Sequence, residues 1–254
     1  MLASKKVKME RVLPTLEQLA ELLGIIIAIV VNIFKRMNRS SVQYWIGHEK
    51  ELASVLKNAL LSKDFKSVDK KVADWVKFYH EVFGLELDPT EIELPVERDD
   101  FNWIVLVAKG LARNVVFDLC TKRFDRKTWR YYDDLNSAVT ENDRQPTETY
   151  VIRVRDGIEA DECHQNKSAN TATKAGIQGM TNLERMLLEL WYHWKMNDHL
   201  DQKSLTICSG SRYAVGHVPF ARWYDDRFYV SYVHPDVARD GWRVRETVSL
   251  PAQA

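Results

Sequence analysis

Histidine and aspartate are concentrated near the carboxyl end of the chain, at His217, Asp225, Asp226, His234 and Asp236. Imidazole and carboxylate groups serve as general acids and bases and as metal ligands. One candidate site is therefore a catalytic or metal-binding cluster of His217, Asp225 and His234. No phosphate-binding glycine loop or Gly-x-Ser-x-Gly motif accompanies these residues, so the reaction class of such an enzyme stays open.

A second set of potential ligands combines two cysteines with three histidines: Cys163, His164, His193, His199 and Cys208. Thiolate and imidazole groups are the ligands that zinc prefers, but these spacings match no known pattern of zinc ligands. The three cysteines of the chain form no Cys-x-x-Cys pair, which favours a reducing, cytoplasmic location over a disulfide framework. The sequence therefore predicts no metal and no cofactor.

The segment 205–250 must position the first cluster, and its pattern is that of short strands. Aromatic and small residues alternate in short runs that are broken by glycines and prolines, which is typical of strands joined by tight turns. Alternation predicts one set of inward-facing side chains: Ala221, Trp223, Phe228, Val230 and Tyr232. It predicts that the intervening side chains face outward: Phe220, Arg222, Tyr224, Tyr229, Ser231 and Val233.

The composition of the last 51 residues differs from that of the rest of the chain. Residues 1–203 contain 18 Lys and 11 Asn, about one residue in seven, whereas residues 204–254 contain neither. A preference for Arg, which stacks and forms bidentate pairs, explains the missing Lys but not the missing Asn. Codons for both amino acids begin with two adenines, so their joint absence indicates a coding region depleted of adenine.

A fixed frame runs through the same segment: Cys208 to Arg212, Val218-Pro219, Trp223, Phe228/Val230/Tyr232, Pro235-Asp236 and Arg243 to Ser249. With these motifs the chain resembles the variable proteins of diversity-generating retroelements, in which an error-prone reverse transcriptase alters codons at template adenines. The resemblance covers roughly residues 100–250. It implies a C-type-lectin-like domain, related in fold to formylglycine-generating enzyme, with a variable region at about 209–245.

The resemblance implies recognition without catalysis. A fixed catalytic cluster among diversified codons would be self-defeating, and Tyr, Trp, Arg, Ser and Gly are the residues that antibody-like surfaces use. The expected partner is a protein or another macromolecule. The ligand-binding residues expected on this basis are Tyr213, Val215, His217, Phe220, Arg222, Tyr224, Asp225, Arg227, Tyr229, Ser231, Val233, His234 and Arg239.

The whole chain is expected to have an α+β fold with a helical region at 1–95 and an α+β domain of short antiparallel strands at 96–254. Helical periodicity dominates up to about residue 84, and the acidic, proline-containing segment 88–100 is the predicted linker. Within the second domain, Thr181 and Glu184 form a capping-box signature that predicts a helix over the following apolar residues.

Charge argues against a nucleic-acid partner, because 36 basic residues balance 36 acidic ones. The basic runs Lys5 to Arg11 and Lys35 to Arg39 lack interleaved aromatic residues, which leaves a nucleic-acid-binding regulator as a minor alternative. Leu22 to Phe34 is apolar but shorter than the roughly 20 residues that a transmembrane helix needs. We expect a helix buried among other helices, with a membrane anchor as the less favoured alternative.

Overall fold

The fold is described from a computed structural model, which covers residues 15–61 and 69–250. The basic run Lys5 to Arg11 lies outside these residues. The chain divides into two compact units, Met1–Phe65 and Lys66–Ala254. The sequence places the division near residue 95 instead. The difference arises because the helix Lys70–Phe83 buries Trp75, Phe78 and Tyr79 within the second unit.

The described residues of the first unit form the helices α1 Leu16–Phe34, α2 Arg39–Gly47 and α3 Glu49–Leu61. The predicted helix over Leu22 to Phe34 is present, but its predicted burial is wrong. Leu23 is 58% exposed and Ile27 is 54% exposed, because the described helices of this unit do not enclose α1. Among the described helices, none is both long and apolar enough to cross a membrane.

The second unit has an α+β fold. Its helices are α4 Lys70–Phe83, α5 Arg113–Arg123, α6 Leu135–Ala138, α7 Ala169–Lys174 and α8 Asn182–Met196. Its strands are β1 Trp103–Val107, β2 Thr128–Arg130, β3 Val139–Asn142, β4 Tyr150–Val154, β5 Leu205–Ile207, β6 Ser211–Tyr213, β7 Val218–Tyr224, β8 Arg227–Val233, β9 Trp242–Val244 and β10 Thr247–Ser249.

These strands form three sheets, with orders β1-β4-β10, β2-β8-β7-β5-β9 and β3-β6. The expectation of antiparallel strands needs a correction, because β2 pairs with β8 and β5 pairs with β9 in parallel. The five-stranded sheet is therefore mixed. Its central hairpin, β7 and β8, is the part of the chain that carries the predicted binding residues.

Helix α8 lies at the centre of the second unit. Its capping box is confirmed: Thr181 Oγ1 accepts a hydrogen bond from the Glu184 amide, and a Glu184 carboxylate oxygen accepts one from the Thr181 amide. The indole of Trp191 stacks on Trp75 of α4 with ring centroids 5.2 Å apart. The hydroxyl group of Tyr79, also on α4, donates a hydrogen bond to the carbonyl of Leu106 in β1. It accepts one from the amide of Ala108, the residue that follows β1.

A buried ionic network joins α8 to the strands. Asp201 accepts hydrogen bonds from Arg185 at 2.8 Å and from Arg245 at 3.1 Å, and all three side chains are fully buried. The second carboxylate in the network, Glu189, accepts from Arg185 at 2.8 Å. Burial by itself would raise the pKa of Asp201, but the two guanidinium groups outweigh that effect and lower it.

Candidate ligand-binding surface

The β7–β8 hairpin separates inward-facing from outward-facing side chains. Arg222 pairs with Tyr229 and Trp223 pairs with Phe228 across the two strands, so side chains of paired residues lie on the same face. The inward positions Ala221, Phe228 and Val230 are fully buried, which confirms the predicted alternation there. Trp223 and Tyr232, also predicted to be core residues, are only partly buried.

Trp223 is half-buried because it lies next to the turn of the hairpin, at the border of the core. Its ring stacks on His199 with centroids 3.3 Å apart, and His199 in turn stacks on His193 at 4.7 Å. Burial, followed by the neighbouring His199, lowers the pKa of His193. Trp223 therefore packs against the edge of the core and stays partly exposed.

One end of the outward face is covered. Ala169 and Ala172 of α7 form a second apolar cluster with Val218 and Val233, and Phe220 packs partly against that cluster. Val233 lies on the outward face of the strand, as predicted. It is not exposed to solvent, because α7 covers it and leaves only 5% of its surface accessible. Val233 is therefore removed from the candidate binding surface, and Phe220 lies at its border.

The other end of the outward face is open, and β2 extends it. Trp129 pairs with Tyr229 in the parallel β2–β8 register, and their ring centroids are 5.6 Å apart. Tyr224 approaches Tyr229 at 6.4 Å, and the guanidinium of Arg222 lies 4.4 Å from the centre of the Tyr224 ring. The exposed fractions are 40% for Trp129 and 57% for Tyr224.

Ring contacts continue from Trp129 along the edge of the sheet. Tyr131 lies 6.3 Å from Trp129 and 4.7 Å from Tyr232. The Tyr232 ring stacks almost parallel on His217 at 4.7 Å, and His217 lies 5.9 Å from His234. A hydrogen bond with Tyr131 raises the pKa of Tyr232. We call the connected rings the aromatic ribbon: Tyr224, Tyr229, Trp129, Tyr131, Tyr232, His217 and His234.

The aromatic ribbon concentrates exposed aromatic area. In the described part of the second unit, the Trp, Tyr and Phe side chains that are largely exposed are Trp129, Tyr131 and Tyr224, and all three belong to the ribbon. Monomeric proteins rarely leave a large contiguous apolar patch on the surface unless it contacts a partner. Tyr and Trp also offer a large and rigid contact area at a low cost in conformational entropy. The ribbon is therefore suited to recognition.

Charged groups border the ribbon at the hairpin tip. Asp225 and Asp226 both adopt positive φ, at 48° and 56°, which is the geometry of a two-residue hairpin turn. Asp226 forms an ion pair with Lys127 at 2.7 Å, while Asp225 and Arg227 are exposed. The Nε group of Arg222 is buried and donates no hydrogen bond within the described residues. A ligand acceptor could satisfy that group.

Three other predicted binding residues do not belong to the ribbon. Tyr213 is buried to 1% exposure beside Tyr132, because β6 carries it inward, so it belongs to the frame. Val215 is exposed in the turn between β6 and β7. Arg239 lies over Trp242 at 5.2 Å, in the loop before β9.

The catalytic alternative requires His217, Asp225 and His234 to meet, and they do not. His217 and His234 flank the paired residues Val218 and Val233, whereas Asp225 lies at the opposite end of the hairpin. Six residue steps of about 3.3 Å separate the two ends, or roughly 20 Å. The carboxylate nearest to the imidazoles is that of Asp236, 3.9 Å from His234 Nδ1.

The metal alternative also loses its predicted ligand set. Among the described residues, a group of three potential ligands is formed by Asp161, Cys163 and His164. Two of them have other partners, because Asp161 accepts from Arg155 and His164 Nε2 pairs with Glu246. Cys208 is buried elsewhere, and burial raises the pKa of its thiol to about 12. A thiol in that state is a poor zinc ligand.

The sequence analysis missed Trp129 and Tyr131. The signal available was the aromatic run Trp129-Arg130-Tyr131-Tyr132, but nothing local in it indicates a parallel pairing with a strand about 100 residues further on. Comparison of the chain with protein families, with curated proteins and with solved structures found no match.

Proposed function

We propose that this chain is a recognition protein that binds a protein or another macromolecule through the aromatic ribbon, without catalysis. The observation that carries the proposal is the division of the hairpin into an inward face, where Ala221, Phe228 and Val230 are fully buried, and an outward face whose aromatic, arginine-bordered end is open to solvent. Rigid aromatic side chains with a flanking Arg are the residues that dominate binding energy in protein interfaces.

We further propose that the second unit is a C-type-lectin-like domain and that its surface is diversified at adenines. The absence of Lys and Asn after residue 203 supports this, as do the outward positions of Arg222, Tyr224, Tyr229 and Ser231 between frame residues. Substitution at these four positions would change the ligand and leave the buried face intact. The free state of Cys120, Cys163 and Cys208 is in keeping with a cytoplasmic location.

A library randomised at Arg222, Tyr224, Tyr229 and Ser231 tests the recognition function. Selection against several unrelated proteins is expected to yield binders to most of them, because these side chains lie on one open face. The matched control is a library of equal size at four exposed positions of α5: Val115, Asp118, Lys122 and Arg123. If both libraries yield binders equally often, the hairpin face is no better suited to binding than any other exposed surface, and the proposal is contradicted.

The diversification proposal makes a separate genomic prediction. The DNA near this gene is expected to hold a near-repeat of the stretch that encodes about Arg212 to Arg245, differing where the repeat has adenine, beside a reverse-transcriptase gene. Sequencing of the flanking region checks this directly. Complete flanking sequence without a repeat or a reverse transcriptase would contradict diversification at this locus, while the library experiment would still decide recognition.

A further inference from the structure

Helix α1 presents a broad apolar surface. At 3.6 residues per turn, its large apolar side chains cover about 180° of the helix. They are Leu16, Leu19, Leu22, Leu23, Ile26, Ile27, Val31 and Ile33. The opposite side carries Glu17, Glu21, Gly24 and Asn32, with Ile25 at its margin. An apolar stripe on a helix normally packs against a core.

The described residues of the first unit supply no such core. None of the described side chains between residues 15 and 55 is buried, and Leu16, Leu23 and Ile27 are each more than half exposed. Most of the stability of a helix in a protein comes from packing of its apolar face. Such a face therefore calls for a partner.

We propose that α1 pairs with α1 of a second copy of this chain in antiparallel orientation. Glu17 and Lys35 are 18 positions apart, or about five turns, so they lie on the same side of the helix and next to one edge of the apolar surface. An antiparallel pair centred on Ile26 brings Glu17 of each copy opposite Lys35 of the other. It also brings Leu19 opposite Ile33.

The alternative orientation is disfavoured by charge. A parallel pair places Glu17 of one copy and Lys35 of the other at opposite ends of the contact, so it lacks this ion pair, and it aligns the two helix dipoles. The antiparallel pair is isologous, so a single twofold axis closes it. Because the apolar surface is wider than one helix covers, two such pairs can combine into a four-helix bundle.

A lipid surface fits the same helix less well. Helices that bind anionic membranes carry Lys and Arg on the polar side, whereas here Glu17 and Glu21 offset Lys35 and Arg36. The second copy is therefore the favoured occupant, and a lipid surface is an outcome that the test must detect.

Light scattering on the full chain over a concentration series tests the pairing. The wild-type chain is expected to be a dimer or a tetramer, and Ile27→Glu to weaken association by about 30-fold, because it places a charge in the apolar contact. The matched control is Asn32→Glu, which adds the same side chain on the opposite side and is expected to change association by less than about threefold. A monomeric wild-type chain, or equal effects of both substitutions, would overturn the proposal.

Charge reversal tests the orientation without touching the apolar surface. Glu17→Lys is expected to weaken association by about threefold to tenfold, and Glu17→Lys combined with Lys35→Glu to restore it. A parallel pair predicts little change for either variant, since residue 17 of one copy and residue 35 of the other then lie at opposite ends of the contact. Flotation with phosphatidylcholine vesicles, with and without phosphatidylglycerol, completes the test. Recovery of the chain with vesicles, lost in Ile27→Glu, would replace the second copy with a lipid surface.

Discussion

Asp201→Asn is expected to lower the free energy of unfolding by about 3 to 5 kcal/mol, because it leaves buried guanidinium groups without their shared counter-ion. Arg185 and Arg245 both donate to Asp201, and all three side chains are inaccessible to solvent. Asn is the appropriate replacement, since Asp201 has φ of 54° and Asn tolerates that left-handed conformation. Chemical denaturation monitored by tryptophan fluorescence measures the change.

The control for Asp201→Asn is Asp118→Asn on α5. Asp118 is exposed and lies 3.7 Å from Arg130, so its neutralisation is expected to cost less than about 0.5 kcal/mol. The pH dependence adds a second readout. Because folding lowers the pKa of Asp201, the stability that this carboxylate contributes is present above its unfolded pKa of about 4 and is lost as pH falls through the folded value. Equal stabilities of Asp201→Asn and Asp118→Asn would contradict the importance of the network.

Phe228→Ala is expected to cost about 3 to 5 kcal/mol, the usual range for deleting a fully buried aromatic ring. Phe228 is inaccessible to solvent, its ring lies 6.0 Å from that of Phe124, and the Arg185 guanidinium lies over it at 5.8 Å. A smaller cost is expected for Trp223→Ala, because Trp223 is half-buried and lies on His199 at the border of the core. Thermal and chemical unfolding of both variants compare the two positions.

The control for Phe228→Ala is Tyr229→Ala, the same kind of truncation one residue along on the opposite face. Tyr229 contacts Trp129 and Tyr224 at the surface, so we expect a loss of no more than about 1 kcal/mol. A comparable loss in the two variants would mean that both faces of the hairpin contribute equally to the fold.

Local patterns in the sequence predicted the parts of the second unit that depend on local chemistry. The α8 capping box follows from Thr181 and Glu184, and the alternation along β8 correctly identified Phe228 and Val230 as buried. Both signals act within a few residues and need no knowledge of distant contacts. The coarse α+β class followed from the same signals.

Features that depend on distant packing were not predictable in the same way. Val233 belongs to the apolar cluster that Ala169 and Ala172 of α7 complete. The polar composition of the segment 161–180 indicates a loop with at most one short helical turn, and nothing in it indicates that this turn covers β8. The strand β3 gives almost no periodic signal, because only Val139 of its four residues is buried. The alternation of residues 150–155 is typical of a half-buried strand, but β4 lies between β1 and β10, and Arg153 is buried with its Nε donating to the Pro95 carbonyl.

The sequence predicted the part of the candidate site that lies on the β7–β8 hairpin, but not the part that β2 contributes. Arg222, Tyr224 and Tyr229 followed from strand alternation, whereas Trp129 joins them only through the parallel pairing of β2 with β8. The apolar run of α1 indicates a buried helix but does not identify what the helix packs against. The sequence therefore could not distinguish a partner within the chain from a partner outside it.

The central claim is that the aromatic ribbon can change while the fold stays intact. Denaturant unfolding of a triple variant, Arg222→Ser, Tyr224→Ser and Tyr229→Ser, tests this most directly when it is compared with Phe228→Ala. We expect the triple variant to lose no more than about 1.5 kcal/mol, near 0.5 kcal/mol for each surface position, and to unfold well after Phe228→Ala. A triple variant that is destabilised as much as Phe228→Ala would show that these side chains hold the domain together, and the binding-surface account would fail.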